Sequence, residues 1–261
     1  MEKRELAKTG VFVSRLGLGT VKFGRNTGVK YPKEFDLPDD YTLTRLLALA
    51  QKLGINTLDT APAYGSSEER LGQILQGKRH DWVIIGKAGE EFSNGKSTYI
   101  FTPEHFTFSL ERTLKRLQTD YLDVLLIHSD GDDLKILSDE KLIRRMQDFK
   151  KSGLVRAIGA STKTVAGGIK AADLLDVVMA TYTPDYTDEK PVLDNAALHE
   201  KGIILKKVLS SGHQTDIGEA MNFAFSHPAV DCVVTGTINP NHLSQNAEAV
   251  MTILTSQASA E

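Results

Sequence analysis

Short apolar runs alternate with amphipathic stretches along almost the whole of this 261-residue chain. The runs lack the polar alternation of a strand with one face in water, so they predict strands that are buried on both faces. Between them, apolar residues recur at helical spacing, as at Leu43, Leu46 and Leu47. The pattern predicts a parallel sheet covered by helices, with strands at 16–20, 57–59, 83–85, 124–127, 155–160, 177–180, 203–205 and 232–235.

Eight strand–helix units in a chain of this length favour a closed (β/α)8 TIM barrel over an open sheet. No Gly-x-Gly-x-x-Gly turn follows the first run, which counts against a Rossmann fold. Before the first run, residues 5–6 and 11–13 predict a β-hairpin that caps the bottom, or N-terminal end, of the barrel. No repeat or low-complexity linker divides the chain, so we predict a single α/β domain over residues 1–261.

Composition excludes several classes of function. The net charge is −3, with cations and anions interspersed, so no surface for nucleic acid is indicated. The single cysteine, Cys232, excludes an internal disulfide framework and a cysteine-rich zinc site, and the histidines lack the i, i+4 spacing of a metal site. The charged N-terminus is unlike a signal peptide, and no apolar stretch approaches the ~18 residues of a membrane span. We therefore expect a cytoplasmic protein that binds neither metal nor membrane.

Ionisable residues stand where three consecutive apolar runs end. Asp59 ends the second run, Lys87 follows the third, His128 follows the fourth, and Tyr64 lies just beyond Asp59. Each alone is equally consistent with a structural role, such as a helix cap or a buried core residue. In a barrel of this kind, however, the C-terminal ends of the strands build the active site. Their joint placement therefore predicts a catalytic group.

These four residues suit the chemistry of carbonyl reduction. A free tyrosine has a pKa near ~10, and a Lys87 ammonium beside Tyr64 is expected to lower it. Asp59 would hold that ammonium in place, and His128 could bind a carbonyl oxygen. Together they would supply a proton donor and an oxyanion site.

Three further segments, at residues 24–40, 90–91 and 66–69, have sequence patterns that predict local structure. The irregular stretch Gly24–Asp40 is expected to be a long loop near the active site, either covering substrate or lying on the surface as a mobile loop. Glu90 and Glu91 are interpreted as part of a solvated rim near the active site, with steering of substrate as the alternative. Ser66 and Glu69 predict a capping box at a helix start.

At this point the sequence resembles the aldo-keto reductase family. The most specific block is Gly54–Glu68, GINTLDTAPAYGSSE, which is similar to the family signature Gly-x-x-x-x-Asp-Thr-Ala-x-x-Tyr-Gly. Similar blocks occur at 9–20, 85–87, 125–128 and 153–161, so the resemblance runs in order from about Thr9 to Asn246.

The resemblance implies roles for individual residues. Tyr64 would be the general acid, Lys87 and Asp59 its supporting pair, and His128 the residue that orients the substrate. Ser161 matches the position that holds the nicotinamide carboxamide, and 236–246 matches the segment for the adenine-side phosphate and adenine. The cofactor residues implied in this way are Thr20, Asp59, Ser161, Thr162, Met179, Lys206, Lys207, Gly236, Thr237, His242, Gln245 and Asn246.

Some of these positions depart from the family pattern. Thr162 replaces a usual Asn and Met179 a usual Gln, while Lys206 and Lys207 stand where many relatives carry an aromatic residue that stacks on nicotinamide. Gly236 and His242 replace the Lys and Arg that bind the 2′-phosphate of NADP. The resemblance implies NADP(H), the preference typical of the family, as the favoured cofactor, and the replacements at Gly236 and His242 keep NAD(H) open.

The predicted function is an NAD(P)H-dependent oxidoreductase that reduces small aldehydes or ketones, acting as a monomer. One alternative is a redox-sensing regulatory subunit of the same fold with little turnover. Another is a barrel lyase or aldolase that uses Lys87 as a Schiff-base amine. The sequence does not name the substrate, since fold similarity does not fix specificity.

Overall fold

The central feature of the computed structural model, which describes residues 1–214 and 216–259, is a closed barrel of eight parallel strands. In chain order the strands are β1 (Lys3–Glu5), β2 (Phe12–Ser14), β3 (Leu16–Gly19), β4 (Thr57–Asp59), β5 (Val83–Ala88), β6 (Glu90–Ser93), β7 (Lys96–Tyr99), β8 (Leu122–His128), β9 (Val155–Ser161), β10 (Val177–Thr181), β11 (Gly202–Lys206) and β12 (Val230–Thr235). The barrel strands follow the order β3-β4-β5-β8-β9-β10-β11-β12, and β12 pairs back to β3. This confirms the predicted (β/α)8 barrel.

Helices surround the barrel and connect its strands. They are α1 (Val21–Gly24), α2 (Asp40–Lys52), α3 (Ser67–Ile74), α4 (Pro103–Leu117), α5 (Asp133–Leu137), α6 (Glu140–Lys151), α7 (Val165–Leu174), α8 (Lys190–Leu198), α9 (Ile217–Phe225) and α10 (Pro240–Ala258). The apolar stripe predicted for α2 is buried, and Thr102 caps α4 by accepting the His105 N–H at 3.2 Å. The capping box at Ser66 is wrong: the Ser66 side chain makes no capping bond, and Glu69 pairs with Arg116 at 2.9 Å.

Two apolar layers hold the fold together. One lies between the strands and the helices, and the other fills the barrel interior with side chains from alternate strand positions, such as Ile85, Leu126 and Ile204. The inner layer makes the barrel a packed core rather than a pore. Inward positions beyond it, at the C-terminal ends of the strands, are therefore left to line the mouth of the barrel.

The hairpin β1–β2 closes the opposite end of the barrel, as predicted. Its strands pair antiparallel, and the apolar side chains of Leu6, Val11 and Val13 are fully buried in the interior cluster. The Asn56 side chain anchors this hairpin at the start of β4, because its Nδ2 donates to Phe12 O at 2.9 Å and its Oδ1 accepts Ser14 N–H at 2.7 Å.

A second hairpin, β6–β7, lies between β5 and α4 and was not predicted from the sequence. Its two strands pair antiparallel from Glu90 opposite Tyr99 to Ser93 opposite Lys96. The hairpin follows directly from the C-terminal end of β5, so it stands beside the mouth of the barrel.

Candidate active site

The ends of β4, β5 and β8 place three ionisable side chains inside the mouth. Lys87 lies two positions beyond Ile85, and His128 two positions beyond Leu126, so both continue the inward-facing side of their strands. Asp59 ends β4, which pairs with β5. A short helical turn at Pro62–Tyr64 then carries Tyr64 back over the same strands.

The four predicted residues meet in one cluster. Lys87 Nζ donates to Asp59 Oδ1 in a buried ion pair and to Tyr64 Oη at 3.1 Å. Tyr64 Oη also lies 3.5 Å from Asp59 Oδ2 and donates toward it. The rings of Tyr64 and His128 meet edge to face, with centroids 6.3 Å apart. The four residues that were predicted from their positions at and near the strand ends therefore lie in contact with one another.

The pKa of Tyr64 is raised, whereas the sequence predicted that it would be lowered. Burial, followed by the charges of Asp59 and Glu90, raises the pKa of the phenol well above its ordinary value. The net shift in this pKa is opposite to the expected lowering, because burial and the two carboxylates outweigh the Lys87 ammonium. Tyr64 is therefore a protonated phenol at neutral pH, the form that can donate a proton.

Glu90 lies beside His128 and was missed by the sequence reasoning. The hairpin β6–β7 brings Glu90 Oε2 to 3.0 Å from His128 Nδ1, and Glu90 Oε1 accepts the Ser97 hydroxyl at 2.6 Å. Only 11% of the Glu90 side chain is exposed, so its interpretation as a solvated rim residue is wrong. Burial and the Lys87 ammonium hold the pKa of His128 well below its usual value, so the imidazole is neutral at neutral pH.

A second polar group lies across the mouth, at the ends of β9 and β11. Lys206 Nζ donates to Ser161 Oγ at 2.9 Å and to Thr162 O at 2.6 Å. Burial, followed by the charge of Lys207, lowers the pKa of Lys206 to about 7. Met179, on β10 between them, is buried in the barrel interior.

Among the residues implied for cofactor binding, two buried polar atoms have no hydrogen-bond partner within residues 1–214 and 216–259. They are Thr162 Oγ1, at the predicted carboxamide site, and Asn246 Oδ1, at the predicted adenine site. Such atoms are costly unless a ligand or water satisfies them. Their positions at the two ends of the predicted cofactor segment fit a bound dinucleotide.

The start of α10 carries the remaining residues implied for the cofactor phosphates. Asn239 caps this helix by accepting the N–H groups of Asn241 and His242, at 2.8 and 3.4 Å. The side chains of Thr237, His242 and Gln245 follow one another along the segment. Gly236 allows Tyr31 to approach the backbone closely, because an added Cβ would lie 3.1 Å from Tyr31 Oη and 3.5 Å from Gly19 O.

The chain from Arg25 to Asp39 contains no helix or strand and lies along the mouth. Tyr31 reaches Gly236 at the end of β12, while Arg25 donates to Ala63 O at 3.1 Å and lies 3.8 Å from Glu90. Thr20, at the start of this connection, donates to Asp59 O at 2.9 Å and accepts the Ser67 hydroxyl at 2.7 Å. The hydroxyl of Thr20 thus supports the backbone at Asp59.

The described ranges, 1–214 and 216–259, contain no group of three or more His, Cys, Asp or Glu side chains placed to hold a metal ion. Nor do they contain a helix with the length and apolar character needed to cross a bilayer.

Comparison with known proteins adds to this geometry. The sequence model of the Aldo/keto reductase family matches residues 15–215, which is most of the chain. The chain belongs to the aldo/keto reductase family. It is therefore an oxidoreductase of the class that uses nicotinamide cofactors on carbonyl compounds.

Individual relatives also support membership of the aldo/keto reductase family. A crystal structure from Pseudomonas aeruginosa, assigned to the aldo-keto reductases, is 45% identical, with a TM-score of 0.89, and the match covers 97% of this chain and 95% of that one. An uncharacterised oxidoreductase of Bacillus subtilis, YqkF, is 25% identical over 95% of this chain and 91% of its own. The NADH-specific methylglyoxal reductase of Escherichia coli is 28% identical over 62% of this chain, and the match spans 52% of that protein.

Proposed function

We propose that this aldo-keto reductase reduces small aldehydes and ketones with Tyr64 as the proton donor. The observation that carries the proposal is the contact of the Tyr64 hydroxyl with the buried Lys87–Asp59 ion pair, next to His128. When bound, a reduced nicotinamide would supply hydride to the carbonyl carbon. Tyr64 would then give its proton to the carbonyl oxygen, and the Lys87 ammonium would stabilise the resulting phenolate. His128 would orient that oxygen.

For the cofactor, we propose NADP(H) as the favoured form. Ser161, Thr162 and Met179 would hold the nicotinamide end. Thr237, His242, Gln245 and Asn246 would hold the adenine end, with Thr20 and Gly236 shaping the cleft between them. Lys207 would add a cation for a cofactor phosphate. It is near enough to Lys30 and Lys163 for their charges, after burial, to lower its pKa, while Glu189 acts in the opposite direction. NAD(H) remains the alternative cofactor, since neither Gly236 nor His242 supplies the lysine and arginine of NADP-binding relatives.

The remaining parts of the proposal concern the whole protein. We propose a cytoplasmic monomer with a single domain, acting on a small-molecule substrate. No feature of the described residues favours the redox-sensing alternative, which would need tight cofactor binding without turnover.

The test is a fluorescence titration with NADPH and NADH, followed by turnover of small aldehydes in the same samples. We expect tighter binding of NADPH and multiple turnovers. In Tyr64→Phe we expect turnover to fall by about 10²- to 10⁴-fold, the usual contribution of a general acid, while the cofactor Kd changes little. Equal turnover in Tyr64→Phe would remove Tyr64 from its role, and absence of binding by either cofactor would overturn the whole proposal.

A further inference from the structure

Lys206 carries an amine into the barrel mouth on a side that the proposed proton transfer does not use. It ends β11 two positions beyond Ile204, which is buried in the barrel interior. Its side chain crosses over β10 to reach Ser161 on β9. Because Ser161 pairs directly with His128 on β8, the amine lies next to the residue that would orient a carbonyl group.

The partners of this amine are neutral. In the described part of the chain, Lys206 Nζ bonds to a hydroxyl and a backbone carbonyl and forms no ion pair. An uncharged amine has two N–H groups, which match these two acceptors and leave its lone pair free. Burial and the neighbouring charge of Lys207 favour the uncharged form, since they lower the pKa of Lys206 to about 7.

Lys87, in contrast to Lys206, has a charged partner. Its side chain is 2% exposed, and its ammonium is held by the Asp59 carboxylate, the Tyr64 hydroxyl and the Thr60 carbonyl. All three of these contacts engage the Lys87 nitrogen, so it is not free to approach a carbonyl carbon. Schiff-base chemistry, if the barrel supports it, therefore belongs to Lys206 and not to Lys87.

We propose that Lys206 is a second carbonyl-reactive group, which captures small aliphatic aldehydes as an imine at the barrel mouth. The amine lone pair forms a bond to the carbonyl carbon, giving a carbinolamine. The carbonyl oxygen then leaves as water with both amine hydrogens, and a C=N bond remains. No oxidation or reduction takes place, so the step needs no nicotinamide cofactor and goes beyond the proposed hydride transfer.

The test is trapping of the imine with sodium cyanoborohydride in the full-length protein, free of cofactor, with propanal near pH 7. Peptide mapping by mass spectrometry then gives the rate of N-propylation at each lysine. We expect Lys206 to react at least about tenfold faster than the exposed Lys141 of α6, because burial and the charge of Lys207 favour the uncharged, nucleophilic form of Lys206. Lys87 is expected to stay unmodified.

Three variants control this experiment. Lys206→Met should lose the fast phase of labelling while Lys141 still reacts, and Lys207→Met should leave Lys206 the fastest-reacting lysine. Tyr64→Phe should lose carbonyl reduction but keep the labelling of Lys206. The inference is overturned if Lys206 reacts no faster than Lys141. Fast labelling without any NAD(P)H-dependent turnover would instead overturn the proposed reductase function and leave this inference standing.

Discussion

At the scale of single residues, Glu90 shows how a neighbouring carboxylate can act on the cluster proposed to be catalytic. Its Oε2 atom lies 3.0 Å from His128 Nδ1, and both side chains are largely buried. We expect Glu90→Gln to lower kcat by about tenfold, because removing the carboxylate charge 3.0 Å from Nδ1 should weaken the orientation of His128 by about 1.4 kcal/mol, which corresponds to a factor of ten. The charge also raises the pKa of Tyr64, so the variant should lower that pKa in the pH profile of kcat/KM.

Glu91 provides the matched control on the same strand. It pairs with Arg112 at 2.5 Å and His105 at 3.1 Å, away from His128. Glu91→Gln should therefore leave kcat and the pH profile unchanged. If both variants lose activity equally, Glu90 acts through the hairpin and not through His128.

Asp231 gives the folding free energy a dependence on pH. Its carboxylate accepts Ile203 N–H at 2.8 Å and pairs with Arg4 at 3.0 Å, yet burial raises its pKa to about 6. This folded-state pKa exceeds the ~3.9 of an unfolded aspartate, so stability falls as the pH rises between those values and is constant above. We expect Asp231→Asn to raise the free energy of unfolding by about 2 kcal/mol near pH 7 and to change it little near pH 4. Urea unfolding at both pH values measures this, and an equal difference at the two would contradict it.

At the scale of elements, the barrel strands were predictable and the hairpin β6–β7 was missed. Continuous apolar runs identify a buried strand such as Val83–Ala88, and a polar residue at its end, such as Lys87, then stands out. The hairpin strands are polar and only four residues long each, so they lack that pattern. The turn Asn94–Gly95 was the available signal, since both residues have positive φ and this dipeptide favours tight hairpins. The burial that raises the pKa of Tyr64 also depends on contacts between distant segments, so no local pattern reveals it.

The same turn gives a prediction for the hairpin. Gly95 has φ +76° and Gly153, after α6, has φ +80°, and an added Cβ would meet no atom within 4 Å at either. Alanine at each should cost about 1–2 kcal/mol of backbone strain. We expect Gly95→Ala to lower kcat because the hairpin holds Glu90, whereas Gly153→Ala should lower only the melting temperature. Equal kcat values in the two variants would show that the hairpin does not position His128.

At the scale of the whole molecule, the two ends of the barrel carry different tasks. The cluster proposed to be catalytic stands at the C-terminal ends of the strands, while the hairpin β1–β2 fills the N-terminal end with apolar side chains. The packed interior separates them, with Ile85 and Leu126 lying between. A change at the hairpin end should therefore affect unfolding without reaching the chemistry.

Leu6 tests this separation directly. Its side chain is fully buried and packs against Gly202 at the start of β11, where an added Cβ would lie 2.7 Å from Leu6 Cδ1. We expect Leu6→Ala to lower the free energy of unfolding by about 2–5 kcal/mol, since it leaves a cavity in the barrel floor. Phe12→Ala, on the same hairpin but 52% exposed, should change it by less than about 0.5 kcal/mol. Below the melting temperature both variants should keep the kcat and KM of the unaltered protein, because the floor contributes stability and the mouth contributes catalysis. A loss of kcat in Leu6→Ala while it is fully folded would mean instead that packing at the floor sets the geometry of Lys87 and Tyr64.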